Sequence, residues 1–310
     1  MYAIKAPSSM VESIPALLGY VPVKSFILIL LDGNADVTAV LRVPLAEAGE
    51  CVSRIVGMTA RQGVVSAAIV IVDSDAAAGE HGSLIREFET ALARADVRVF
   101  HAIVVDRVDA GGHWRCGDGC GAGGALGDPT SSPLAAEAVL IGRPIYKSRD
   151  DLLALVAVDE SRSSSFTAAV RGIGHIDGDQ AVSRAIEAAN RLADGATVDD
   201  AVLVCVAASL GDWAVRDRLL ALSVTEAADK AAMLWAVLAR ITSGKWRAAA
   251  LTLMACGAYL RGNGPLASVA LDAALTAEQT YSLAGLVRIA LDAGIRPEQF
   301  RAMLTDLAPS

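Results

Sequence analysis

The amino-acid sequence predicts an α/β domain followed by an all-α one. Three observations carry that expectation. Short apolar runs of strand length, Phe26–Leu31, Val64–Val72 and Val97–Val105, alternate with amphipathic stretches in the first third of the chain. A segment rich in Gly, Ser, Asp and Pro, Asp109–Pro133, then breaks the pattern. From about Gln180 onward the apolar residues recur at helical spacing. Continuous apolar runs of this length mark strands buried on both faces, whereas a 3.6-residue period marks a helix with one apolar side.

In chain order, Met10–Tyr20 reads as a short helix whose start Pro15 places near Ile14. Val21–Lys24 is a turn and Phe26–Leu31 the first strand. Asp32-Gly33-Asn34 has hairpin chemistry, so Val37–Val43 returns antiparallel. Leu45–Arg61 reads as a helix ending near Gly63, followed by strand Val64–Val72, helix Ser83–Arg94 and strand Val97–Val105. Strand–helix–strand alternation predicts parallel neighbours joined by right-handed crossovers. The expected sheet is mixed and mostly parallel, with flanking helices.

Asp109–Pro133 is expected as a long loop without regular structure, a kind of segment that is often functional. Pro133–Leu140 and Asp150–Val158 read as connecting helices. The remainder offers helices at Gln180–Leu192, Val198–Ser209, Trp213–Leu222, Glu226–Thr242, Trp246–Arg261, Pro265–Ala274, Thr280–Ala293 and Pro297–Leu307. Turn signals such as Ser243-Gly244 and Gly262-Asn263-Gly264 separate them. Antiparallel helix pairs follow, repeat-like but without a fixed period. The domain plan is thus 1–108 (α/β), 109–133 (Gly-rich, Cys-containing loop), 134–178 (connecting helices) and 179–310 (helical domain).

Composition narrows the function. Hydrophobic residues are 54% of the 310 and charged residues 20%, enough for a large core, while aromatics are only 5%. Ala, Val, Ile and Leu must therefore fill the interior. A net charge of −8 argues against nucleic acid and anionic lipid as partners, because both reward a basic surface. Mean hydropathy is +0.45, but the best uncharged stretch, Ala248–Leu260, is too short to span a bilayer and lies between Arg247 and Arg261. The N-terminal residues lack the basic and apolar regions of a secretion signal. Five cysteines, an odd number and mostly scattered, suit reduced thiols in the cytoplasm.

Three groups of residues are candidates for chemistry. Cys116 and Cys120, in CGDGC, with His113 nearby, are a set that zinc would take; free thiols and a small disulfide are the competing readings. No other cofactor is expected. Asp32, Asp73 and Asp106 each follow an apolar strand, and Asp75 joins Asp73 in a DSD pair. If the strands were parallel, these carboxylates would share one sheet edge, where Mg²⁺ and a phosphate could bind; the plainer reading is turn and capping residues. Trp213 and Arg216 are candidate anchors for a partner protein, against a plain salt bridge from Asp212 to Arg216 four residues on. No nucleophile elbow, catalytic triad, HExxH motif or phosphate loop is present, and His81, His101, His113 and His175 fit none of these patterns.

Three ordered stretches are familiar: LLGYVPVKSFILILL (17–31), SSPLAAEAVLIGRPIYKSRDDLLALV (131–156), and AYLRGNGPLASVALDAAL with YSLAGLVRIALDAG (258–294). Together they resemble the actinobacterial and phage family named domain of unknown function 4192. The resemblance brings no activity or substrate. It implies a segment with aromatic and cysteine residues between the two halves, here His113-Trp114-Arg115-Cys116 and Cys120; the family often has two adjacent cysteines there, and this chain has Cys120 alone. The expected function is non-catalytic binding or regulation, with the helical domain engaging a protein partner or a second copy. The alternatives are a metal-dependent enzyme acting on a nucleotide or phosphate, and a structural homo-oligomer of a phage or its host.

Overall fold

Ser25–Leu31 (β1) is buried along its whole length and forms an interior strand of a six-stranded sheet. The computed structural model describes residues 6–59, 64–77, 79–174 and 176–307. It divides into two compact units, Met1–Asp151 and Leu152–Ser310. In the first unit, β1 is flanked by β2 (Val37–Pro44) and β3 (Ser66–Val72); β4 (Arg98–Val105), β5 (His113–Cys116) and β6 (Gly123–Ala125) follow in the order β2-β1-β3-β4-β5-β6.

The sheet is mostly antiparallel, which corrects the sequence expectation. Only β3 and β4 pair in parallel; β1 is antiparallel to both β2 and β3, and β5 is antiparallel to both β4 and β6. The hairpin is the physical reason. Because β1 turns back into β2 before the chain crosses over, the crossover leaves from β2 and delivers β3 running with β2 and against β1. The segment expected to be an unstructured loop supplies the last two strands: β5 and β6 form a hairpin that extends the sheet beyond β4.

One face of the sheet, with Phe26, Leu28, Leu30, Ala67, Ile69, Ile71, Ala102 and Val104, packs against α2 (Val52–Thr59) and α3 (Gly82–Ala93). Phe26 and Phe88 stack there at 4.1 Å between ring centroids. The other face, Ile27, Ile29, Ala68, Val70 and Ile103, is equally inaccessible. The first unit also contains α1 (Pro7–Leu18) and α4 (Pro133–Leu140). The expected helix Leu45–Arg61 begins as two 3-10 turns before α2, and its end at Arg61–Gly63 lies outside the described residues. Pro15 does not start α1 but sits inside it. The helix runs through it because Met10, Val11, Ile14 and Leu18 are all buried, which offsets the one backbone bond a proline forfeits.

α5 (Arg149–Leu155) leads into the second unit, which holds α6 (Glu160–Arg171), α7 (Gly178–Ala193), α8 (Asp200–Ser209), α9 (Trp213–Ala221), α10 (Ala228–Ile241), α11 (Gly244–Leu260), α12 (Gly264–Ala277), α13 (Ser282–Asp292) and α14 (Pro297–Leu307). α6 escapes the sequence reading because its buried positions at helical spacing, Ser163, Phe166, Thr167 and Val170, include two hydroxyl residues. α11 is the hub: Ala248–Leu260 is buried on every side, and α8, α9, α10, α12, α13 and α14 all touch it. A helix apolar all round belongs in a core. In a repeat array each unit would meet only its neighbours, so this is a bundle built round one helix. No described helix is long and apolar enough to cross a membrane.

Phe88→Ala is expected to lower the unfolding free energy by about 3–5 kcal/mol, the usual cost of emptying a buried aromatic site. Trp235 is 1% exposed and its indole N–H has no partner among the described residues, so Trp235→Phe forfeits no hydrogen bond there and is expected to cost about 1–2 kcal/mol, less than Phe88→Ala. Urea denaturation of the two variants checks both values.

Candidate functional site

The ends of β3 and β4 build the first candidate. Asp73 follows β3, and its N–H donates to the Val105 carbonyl at 2.9 Å. β1 enters the sheet at this edge, since Ser25 faces Val72 and Leu31 faces Ser66. It therefore brings Lys24 to Asp73 and carries Asp32 to the opposite edge. Lys24 Nζ donates to Asp73 and, at 2.7 Å, to Asp75. His81 Nε2 lies 2.8 Å from the second Asp73 oxygen, and the Asp75 N–H donates to Asp73 at 3.1 Å. Burial alone would raise the Asp73 pKa, but Lys24, the Asp75 N–H and His81 outweigh it and hold the carboxyl at about 2. Lys24 adopts φ +41°, a left-handed conformation that costs a non-glycine residue on the order of 1–3 kcal/mol.

The four expected carboxylates do not converge. Asp32 accepts from the N–H groups of Asn34 (2.9 Å) and Asp36 (3.1 Å) and shapes the hairpin turn. Asp106 accepts from the N–H groups of Arg107 (2.6 Å) and His113 (2.8 Å) and pairs with the Arg107 guanidinium. Only Asp73 and Asp75 share a site, and a cation of the protein already fills it.

Asp73→Asn is expected to destabilise the protein by about 1–2 kcal/mol at pH 7, after allowance for solvent around the half-exposed Lys24. A carboxyl depressed in the folded state stabilises it fully above the unfolded pKa. The deficit of the variant is therefore expected to vanish as pH falls from about 4 toward 2, the interval between the ordinary and the folded value. Urea midpoints across that range measure it.

The β5–β6 hairpin carries the second candidate. Cys116 faces Ile103 across the strand pair, so it shares a sheet face with His101, two residues before Ile103. Cys116 Sγ lies 3.8 Å from His101 Nδ1 and 3.6 Å from Nε2. Asp118 Oδ2 is 3.4 Å from the same Nδ1. His101, Cys116 and Asp118 thus form a cluster with metal-ligand chemistry. The turn is held by the Cys120 N–H donating to Asp118 at 2.9 Å, with Gly119 and Gly121 at φ +83° and +77°. Burial first, then the neighbouring Cys120 and Asp118, push the Cys116 thiol up to about 12. The Cys120 N–H chiefly holds Asp118 below the usual carboxylate range. His113 stands apart, exposed at the start of β5. All five cysteines are free thiols.

The third candidate lies wholly in the second unit. A groove of about 470 Å³ is lined by Val170, Arg171 and Ile173 at the end of α6, Asp212 and Trp213 at the start of α9, and Lys245 and Trp246 at the start of α11, among others. Arg171 and Lys245 approach the Trp246 ring, at 5.9 Å and 4.8 Å from its centroid.

A family model matches residues 7–298 of the 310. The chain belongs to the family described as domain of unknown function DUF4192. No curated protein and no solved structure matches it. In this DUF4192 member, two of the stretches that carry the family resemblance meet in the first unit. Tyr20 and Tyr146 bridge in parallel, and Arg143 donates to the Ala16 carbonyl at 2.5 Å.

The two residues expected to anchor a partner differ sharply in the DUF4192 structure. Trp213 is 72% exposed beside the groove. Arg216 is turned inward: it donates to Asp217 at 2.9 and 2.6 Å and to the Tyr281 hydroxyl at 3.4 Å. Asp212 caps α9 by accepting from the Ala214 and Val215 N–H groups, so the expected Asp212–Arg216 pair does not form. Lys24, His81, Asp118 and the place of His101 beside Cys116 were missed from sequence. Only for His101 was a signal present, the strand alternation that puts it on the Ile103 face. His175 lies outside the described residues. Trp213→Ala is expected to change stability by less than about 0.5 kcal/mol, and Arg216→Ala to cost about 1–3 kcal/mol by leaving Asp217 unpaired; thermal denaturation compares them.

Proposed function

We propose that the protein is a non-catalytic binding protein whose helical unit takes an acidic segment of a partner protein into the Trp213–Trp246 groove. The observation that carries this reading is the pair of cations over one indole. The ion pairs of the second unit use Arg162, Arg216, Arg218, Arg261 and Arg288; among the described residues neither Arg171 nor Lys245 has a carboxylate partner. Two uncommitted cations at a groove stand out in a chain of net charge −8. Asp212 is the groove's one carboxylate, and its charge is spent on capping α9. The N-terminal ends of α9 and α11 add partial positive charge, and Ser243 leaves the first turn of α11 without a side-chain cap. An exposed indole beside such charges is the composition of an interface hot spot. The acidic remainder of the surface does not prevent capture, because charges more than about 8 Å away are screened at physiological salt.

The carboxylate-edge enzyme has less support, since Lys24 pairs with both Asp73 and Asp75 while Asp32 lies at the other edge. Titration with a Glu/Leu-rich peptide, followed by tryptophan fluorescence, is the test. Saturable binding that weakens at least about tenfold in Arg171→Glu/Lys245→Glu is expected, a loss of about 1.4 kcal/mol. Failure of the acidic peptide to saturate, equal binding of its Lys/Leu counterpart, or indifference to the charge reversal would overturn the proposal.

A further inference from the structure

The structure assigns a second, independent role to the β5–β6 hairpin: we propose that His101, Cys116 and Asp118 form a site for a thiophilic divalent cation, zinc above all, which recruits Cys120 from the same turn. Three elements supply the donors. His101 comes from β4, Cys116 ends β5, and Asp118 and Cys120 stand on the turn. Zinc bonds sulfur at about 2.3 Å and nitrogen or oxygen at about 2.0–2.2 Å, so tetrahedral ligand atoms sit roughly 3.3–3.8 Å apart. The His101 Nδ1 distances of 3.8 Å to Cys116 Sγ and 3.4 Å to Asp118 Oδ2 already lie at that spacing. One ring nitrogen, one sulfur and one carboxylate oxygen thus surround a common point within 4.8 Å of one another. Cys120 stands on the same turn, its N–H donating to Asp118 at 2.9 Å, and its exposed side chain is the one to swing in as a fourth donor on binding.

The donor set selects the ion. Two thiolates and an imidazole favour zinc over magnesium or calcium, which take oxygen. The three clustered donors, completed by Cys120 on binding, would close the coordination sphere, so the metal would pin the hairpin to β4 in the manner of a structural site rather than expose a water for catalysis. Binding must displace the thiol protons, so affinity falls as pH falls. The site belongs to the first unit and shares no residue with the Trp213–Trp246 groove, so its test leaves that reading untouched.

Cobalt(II) titration of the reduced, full-length protein reports the geometry directly, because tetrahedral thiolate coordination gives an intense near-ultraviolet charge-transfer band and visible d–d bands. Saturation near one cobalt per chain, displacement by zinc, and loss of the charge-transfer band in Cys116→Ser/Cys120→Ser are expected. His101→Ala should lose the tetrahedral bands, whereas His113→Ala and Cys205→Ser should titrate as the parent does. Cys120 is exposed, so Cys120→Ser alone keeps the test valid if a buried substitution unfolds the chain. Zinc is also expected to raise the urea midpoint of the parent and not that of Cys120→Ser. Absence of saturable cobalt binding, a spectrum without thiolate bands, bands that survive the double substitution, or a Cys116–Cys120 disulfide in protein purified without reductant would overturn the assignment.

Discussion

The direction of β1 governs the first unit. A single hairpin reverses the chain before its first crossover between strands, and every later strand inherits its orientation from that reversal. β1 consequently runs against both neighbours, with each of its residues buried between two hydrogen-bonded ladders and two packed faces. The same reversal decides the chemistry at the edge of the sheet. A parallel β1 would have ended there with Asp32, setting another carboxylate beside Asp73. The antiparallel strand begins there instead and delivers Lys24, so the edge carries an ion pair. The strained backbone of Lys24 persists because the pair and the strand register hold it in place.

α11 plays the corresponding part in the second unit. Aromatic residues are scarce, so close packing has to come from small side chains. Ala248, Ala249, Ala250, Ala255, Gly257 and Ala258 let neighbouring helices approach α11 on all sides. The cost of such a hub falls at its N-terminal end. There Lys245 and Trp246 leave the core, meet the exposed ends of α6 and α9, and form the one cationic and aromatic groove described. Core and groove are thus two ends of one helix, the first dictated by volume and the second by the charges that cannot be buried.

The candidate sites were legible in halves. Sequence reading found Asp73 and Asp75 by the turn chemistry that follows a strand, but not Lys24 or His81, which are 49 and 8 residues from Asp73. It found Cys116 and Cys120 by their spacing, yet chose His113, the histidine nearest in sequence. Strand pairing brings in His101, 15 residues away, because antiparallel register puts it on the Cys116 face. Trp213 and Arg216 looked alike as anchors; burial by Tyr281 and Asp217 separates them. In each case local chemistry marked one member, and a long-range contact supplied its partner.

What the sequence determined alone follows from periodicity and turn chemistry, which are properties of a few consecutive residues. The apolar runs of β1, β3 and β4, the hairpin after Leu31, the start of α4 at Pro133, and most helices of the second unit were all visible in it. The order and polarity of the strands, the hub position of α11 and the membership of each side-chain cluster were decided only by the tertiary structure. A strand's partner is chosen by competition among all apolar faces in the chain, and a polar side chain's partner by which element that competition sets beside it. Neither choice leaves a mark within the segment itself.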